Sequence, residues 1–313
     1  MTRLKLLALL PLAISSVAFA AETSGSEYLH QTAAGKWEVT PMLTYQDMTL
    51  KYTNNNGTNF DKSETTGVIY GVKGEYGIDD MFSVGINIAA ENDSIKSTST
   101  SGVSNTGTAS GLNNIDLYGN GKYDLGGSML RYGLDFSIAM GKTKQDISSG
   151  AGQGSFGTSD GGLNATPFVG WEMAMGPGIF GLKFSYTFQL ADRKYNSTPA
   201  GTGALADSEK GDSAESLTAF YEWMNNNWSL GVALSYNGTN GSKLTFGDGT
   251  TGTVDNGHAG IFIDIYAPIT VADNITLIPS FGYGDNGEML IAEQGGVKTF
   301  AGYDLSVAAR FGF

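Results

Sequence analysis

Histidine occurs twice in this 313-residue sequence, at His30 and His258, and cysteine does not occur. No thiolate exists for nucleophilic, redox or metal chemistry. Neither histidine has a serine partner at a spacing used for acyl transfer, so no catalytic residue, metal ligand or cofactor site is assigned. The chemistry-bearing groups that remain are carboxylates, amines and aromatic rings recurring at alternate positions. One set mixes both signs: Glu38, Lys73, Glu75, Lys122, Arg131, Glu172, Lys183, Glu222 and Arg310. A second is acidic: Glu91, Asp116, Asp135, Asp264 and Asp304. A third is aromatic: Tyr118, Phe168, Phe220, Phe262 and Tyr266. Around a water-filled space, such residues pair across a wall, screen ions or offer a surface for flat solutes.

Those sets acquire meaning from the elements that must carry them. Period-two alternation recurs in segments of about ten residues separated by turn-rich stretches, the pattern of a transmembrane β-barrel. Leu130, Tyr132, Leu134, Phe136, Ile138 and Met140 alternate with Arg131, Gly133, Asp135, Ser137 and Ala139. Ala301, Tyr303, Leu305, Val307, Ala309, Phe311 and Phe313 alternate with Gly302, Asp304, Ser306, Ala308, Arg310 and Gly312. The apolar face is unbroken, as a lipid band requires. The other carries Gly, Ser and Thr in place of the Lys and Glu of a soluble surface.

Twelve antiparallel strands are predicted, with ten or fourteen as the alternatives, roughly at 36–52, 64–77, 81–96, 111–124, 129–145, 161–176, 179–194, 214–225, 227–238, 257–270, 274–284 and 298–313. Connections after even strands are tight, and those after odd strands long and polar, including 97–110 as an outer loop. The fold class is therefore an all-β, up-and-down transmembrane barrel spanning residues 36–313, with both termini in the periplasm. Arg3 and Lys5, the apolar stretch from Leu6 to Ala13 and the Ala18-Phe19-Ala20 site read as a signal peptide over 1–20. Residues 21–35 then form a short periplasmic N-terminal segment, and the location is the cell outer membrane with lipid around the wall. A formal net charge of -13 excludes a nucleic-acid partner.

Twelve strands about 4.8 Å apart and tilted ~35–45° give a backbone diameter of roughly 25 Å. Side chains from both walls leave about half of that for a solute. The nine-residue charged belt would lie near the periplasmic end, with Glu172 opposite Lys183, Arg131 on the next strand and Arg310 facing Glu38 across the closing seam. It either ties the wall together or filters solutes by charge. The acids above it concentrate cations, and the inward rings either fill the barrel or form a track for aromatic solutes.

The final stretch, with Tyr303, Phe311 and the terminal Phe313, resembles the C-terminal signal read by the barrel assembly machinery. Gly111-Leu-Asn-Asn-Ile-Asp-Leu-Tyr-Gly-Asn-Gly-Lys-Tyr-Asp124, followed by Leu130 to Lys142, resembles a strand pair of the transporter family associated with phenol meta-pathway degradation. That resemblance implies an outer-membrane channel for small solutes, hydrophobic or aromatic ones among them. The alternative is a non-conducting barrel whose extracellular loops contact a partner.

Overall fold

The computed structural model describes residues 26–53, 59–99, 102–140, 144–147, 153–156, 162–191, 193–197, 205–210, 213–239, 242–245, 251–255, 258–285 and 297–313. The signal peptide read at 1–20 lies outside them. Twelve strands make the wall: β1 (Trp37–Thr53), β2 (Asn59–Gly77), β3 (Phe82–Ser99), β4 (Ser104–Asp124), β5 (Ser128–Ile138), β6 (Leu163–Met175), β7 (Gly178–Ala191), β8 (Ser213–Met224), β9 (Ser229–Thr239), β10 (His258–Tyr266), β11 (Ile275–Asp285) and β12 (Val297–Gly312). Each pairs antiparallel with the next. β12 then pairs with β1 from Glu38↔Gly312 to Thr53↔Val297, which closes the barrel and leaves no edge. An extra short strand, Ile269–Ala272, continues the line of β10 past Pro268 and pairs with β11.

Alternation sorts the side chains as the period-two pattern requires. Leu43, Tyr70, Val84, Leu134, Phe184, Leu234, Ile261 and Leu305 point outward and are exposed. Glu38, Glu75, Arg131, Glu172, Glu222 and Arg310 point inward and are buried. The interior is thus polar and the exterior apolar, the inverse of a water-soluble domain. Paired rings ornament the outer face at the tight-turn end: Trp37 with Tyr76 at 4.6 Å, Phe82 with Tyr132 at 6.1 Å, and Trp223 with Trp228 at 6.1 Å between centroids. Amphipathic rings favour that depth. Trp171, edge-on to Phe180, joins them.

The hairpins outgrow the sequence prediction. β3 and β4 remain paired up to Thr98↔Ser104, where the two hydroxyls meet at 3.0 Å, so most of 97–110 is ladder rather than loop. Alternating Ser, Thr and Asn make a ladder with two polar faces, which hydropathy reads as a loop.

Glycine has a structural use that the sequence pattern only hinted at. A Cβ added to Gly85 would lie 2.2 Å from the Tyr118 ring, and one on Gly133 2.3 Å from Phe168. The same holds for Gly181 under Phe220 (2.2 Å), Gly231 under Tyr266 (2.0 Å) and Gly284 under Phe262 (2.3 Å). Each of these inward rings covers a bare glycine of the adjacent strand. Ring and glycine together make one unit of wall lining, related to the aromatic cover of strand glycines used in design.

Candidate functional site in the barrel lumen

The charged belt is assembled by short turns. Gly176, at φ +60°, occupies the left-handed position of a two-residue turn with Pro177, and Met175 pairs with Gly178. This register puts Glu172 opposite Gly181 and Lys183 opposite Gly170. The expected Glu172–Lys183 pair is therefore corrected by two residues, because the turn is centred half a step before Pro177. Glu172 bonds instead to Arg131, its Oε1 accepting from Nε at 2.8 Å and Nη2 at 2.5 Å. Lys122 stands directly opposite Arg131. Lys73 pairs with Glu75 at 2.9 Å.

The belt holds a segment of the chain itself. Residues 26–33, read as part of a periplasmic tail, run inside the barrel, and six of them are buried. The chain reaches them from β1 through Gly35, at φ +71°, which a residue with a side chain adopts only with strain. Gly35 N–H donates to the Gly77 carbonyl at 2.8 Å. Gly77 must be bare here, since a Cβ would lie 2.0 Å from the Ala33 carbonyl oxygen.

From there the segment crosses the lumen. Thr32 N–H donates to Glu75 Oε1 at 3.1 Å, and Thr32 Oγ1 to Glu38 Oε2 at 3.0 Å. His30 Nε2 lies 2.7 Å from Glu38 Oε2. Arg131 Nη1 donates to Gln31 Oε1 at 3.4 Å, and Gln31 Nε2 to the Met81 carbonyl at 2.9 Å. On the far side Glu27 N–H donates to Glu222 Oε2 at 2.6 Å, and Ser26 Oγ to Glu172 Oε2 at 2.8 Å. Arg310 Nη1 donates to Glu27 Oε1 at 3.1 Å and lies 4.0 Å from Glu38 through Nε. The segment thus bridges β1, β2 and β12 to β5, β6 and β8. Three wall carboxylates grip backbone N–H groups, so much of the hold does not depend on side-chain identity.

Charge counting explains the arrangement. The nine belt residues comprise five bases and four acids, and Glu27 enters as a fifth carboxylate against Arg310. Burial pushes the His30 imidazole well below the ordinary histidine range, and the Arg310 guanidinium acts in the same direction. Burial likewise raises the Tyr28 phenol.

Tyr28 and Leu29 complete the contact with an apolar patch, Leu29 clustering with Phe220 and Ala233, and Tyr28 and Phe168 packed against them. The Tyr28 ring sits 4.8 Å from Phe220 and 6.4 Å from Tyr266, and its hydroxyl donates to Thr218 Oγ1 at 3.2 Å. Phe220 and Tyr266 are consequently buried beneath the segment. Tyr118 lies apart, donating to Glu75 Oε2 at 3.1 Å with Lys73 over its ring, and Phe262 faces Phe300. Of the five inward rings, Phe168, Phe220 and Tyr266 gather around Tyr28, whereas Tyr118 and Phe262 stand apart.

Above the belt the lumen turns acidic. Glu91 is buried on β3, and Asp116, Asp135, Asp264 and Asp304 are half-buried on β4, β5, β10 and β12. Asp116 accepts from Asn87 Nδ2 at 3.0 Å. Asp93, which the sequence reading left out, is buried beside Glu91 and accepts from Gln46 Nε2 at 2.7 Å. At the seam, Phe313 and Trp37 exchange backbone hydrogen bonds of 2.8 and 3.2 Å. The Tyr303 hydroxyl donates to Asp47 at 3.4 Å, and Phe311 stands opposite Val39 and Ile275.

No protein-family model and no curated protein sequence matches the chain. Solved structures do. An outer-membrane channel from Pseudomonas putida F1 is 13% identical, with a TM-score of 0.61 over 93% of this chain and 100% of that one. This chain has the fold of an outer-membrane β-barrel. The transport unit of the autotransporter AIDA-I from Escherichia coli aligns at 12% identity, TM-score 0.58, over 93% and 94% of the two chains. The translocator domain of the autotransporter NalP from Neisseria meningitidis aligns at 8% identity, TM-score 0.51, over 90% of each. These likenesses fix the fold, in which the exposed apolar face is the one suited to lipid.

Nothing in the alternation pattern could have placed residues 26–33, since they are too short and irregular to read. The one available signal was the belt's excess of bases, five against four acids, with Glu27 standing ten residues before β1.

Proposed function

We propose that this outer-membrane barrel is a passive channel for small solutes, hydrophobic or aromatic ones among them, with the docked N-terminal segment setting its conductance. The observation that carries the reading is the hydrogen-bonded hold on residues 26–32. Apart from the small apolar patch under Tyr28 and Leu29, these contacts are polar and can be exchanged for water. The charged belt is then both the wall's tie and the seat of the constriction. The acids above it favour cations in the mouth.

Planar-bilayer recording tests this. The full chain should conduct weakly, and a variant lacking residues 26–32 should conduct several-fold more while still running as a heat-modifiable folded barrel. Silence from both would remove the channel reading and favour a non-conducting barrel whose loops bind a partner. Phe313 belongs to the same reading as the assembly signal, since it ends the strand that closes on β1.

A further inference from the structure

Three bases of the belt have carboxylate partners: Lys73 with Glu75, Arg131 with Glu172, and Arg310 with Glu27. Lys183 has rings instead. Its Nζ lies 4.8 Å from the Phe168 centroid and 5.7 Å from that of Tyr28. Its ammonium makes no ion pair or hydrogen bond with any described residue, and the one carboxylate that attracts it, Asp135, does so through space. Ring faces attract an ammonium through their quadrupole but accept none of its three N–H donors in the manner of an oxygen. A cation held this way is electrostatically settled yet chemically unspent.

The surroundings define what would take those donors. Phe168 and Tyr28 are only half-buried, so part of each ring remains open to the lumen. Ser185 and Ser216 stand opposite one another on β7 and β8, one inward position above Lys183, and are half-buried too. A lysine, two hydroxyls and two ring faces at one level suit an oxyanion attached to a flat apolar body. Asp135 and Asp264, inward and higher on the wall, oppose a second negative charge.

We propose that Lys183 anchors a lumenal subsite for small aromatic monocarboxylates, with the carboxylate on Nζ and the ring against Phe168 and Tyr28. The proposal rests on the channel reading only for the route by which the acid arrives.

Binding to the purified full-length barrel, read by calorimetry with benzoate, benzamide, acetate and phthalate, tests it independently of conduction. Benzoate should bind at least tenfold more tightly than the neutral benzamide, the ringless acetate or the dianionic phthalate. Lys183→Met should weaken benzoate at least tenfold and leave benzamide within twofold. Lys183→Arg, which keeps the charge, should retain benzoate within a few-fold and guards against a folding defect in the first variant. Benzoate affinity unchanged in Lys183→Met, equal affinity for benzoate and benzamide, or no benzoate binding at all would overturn the proposal. Conductance without benzoate binding overturns it and leaves the channel reading standing. Lys183-dependent benzoate binding in a barrel that does not conduct upholds it and removes the channel reading.

Discussion

Replacing Arg310 with Met isolates the joint between segment and wall. The guanidinium is 2% exposed, bonds Glu27 at 3.1 Å and lies 4.0 Å from Glu38. Stripping one partner from a buried charge pair costs about 3–5 kcal/mol, because the remaining carboxylate stays desolvated. Here the molecule has an escape that a rigid core lacks. Glu27 can return to water if residues 26–32 leave the belt, so most of the penalty should fall on docking rather than on the β-ladder. A shift of 3 kcal/mol is about a hundredfold in the docking equilibrium. The chain has no cysteine, so Ser26→Cys provides a single thiol whose maleimide labelling reports undocking. Ser26 is 1% exposed and held by Glu172, which should make labelling slow in the parent. Arg310→Met should accelerate labelling by one to two orders of magnitude with the heat-modifiable barrel retained. Adding Glu27→Gln should reverse much of that gain by removing the stranded charge. An unchanged labelling rate in folded Arg310→Met would refute the idea that this pair holds the segment.

Two further substitutions test the wall. Leu134→Arg places a charge on the exposed apolar face between Gly119 and Pro167 and should cost ~2–4 kcal/mol near mid-membrane, whereas Ser137→Arg, on the lumenal face beside Asn114, should cost far less; equal unfolding midpoints in urea would mean the faces are misassigned. Gly181→Ala sets a Cβ 2.2 Å from the Phe220 ring, which Tyr28 covers at 4.8 Å, so it should destabilise by about 1–3 kcal/mol through overpacking and be rescued by Phe220→Leu; a neutral Gly181→Ala would show that the ring is free to move.

The wall is legible in the alternation alone. Alternation between Leu130 and Met140 and between Ala301 and Phe313 fixes which side chains meet lipid, because the strand period is two and only one face can be apolar in a membrane. The same periodicity turns Glu38, Arg131, Glu172, Glu222 and Arg310 inward. What those charges do follows from how the closed barrel brings them together. Register across a turn depends on which residues occupy it, and Gly176 taking a left-handed conformation moved Glu172 from Lys183 to Arg131. Residues 26–33 carry no period of their own, so their place follows only from the ring of carboxylates that closure brings together. Glu75, Glu172 and Glu222 come from strands far apart in sequence, and they become one set of acceptors for the Thr32, Ser26 and Glu27 backbone only when β12 meets β1. Alternation is a local property of the chain; the occupant of the space it encloses is not.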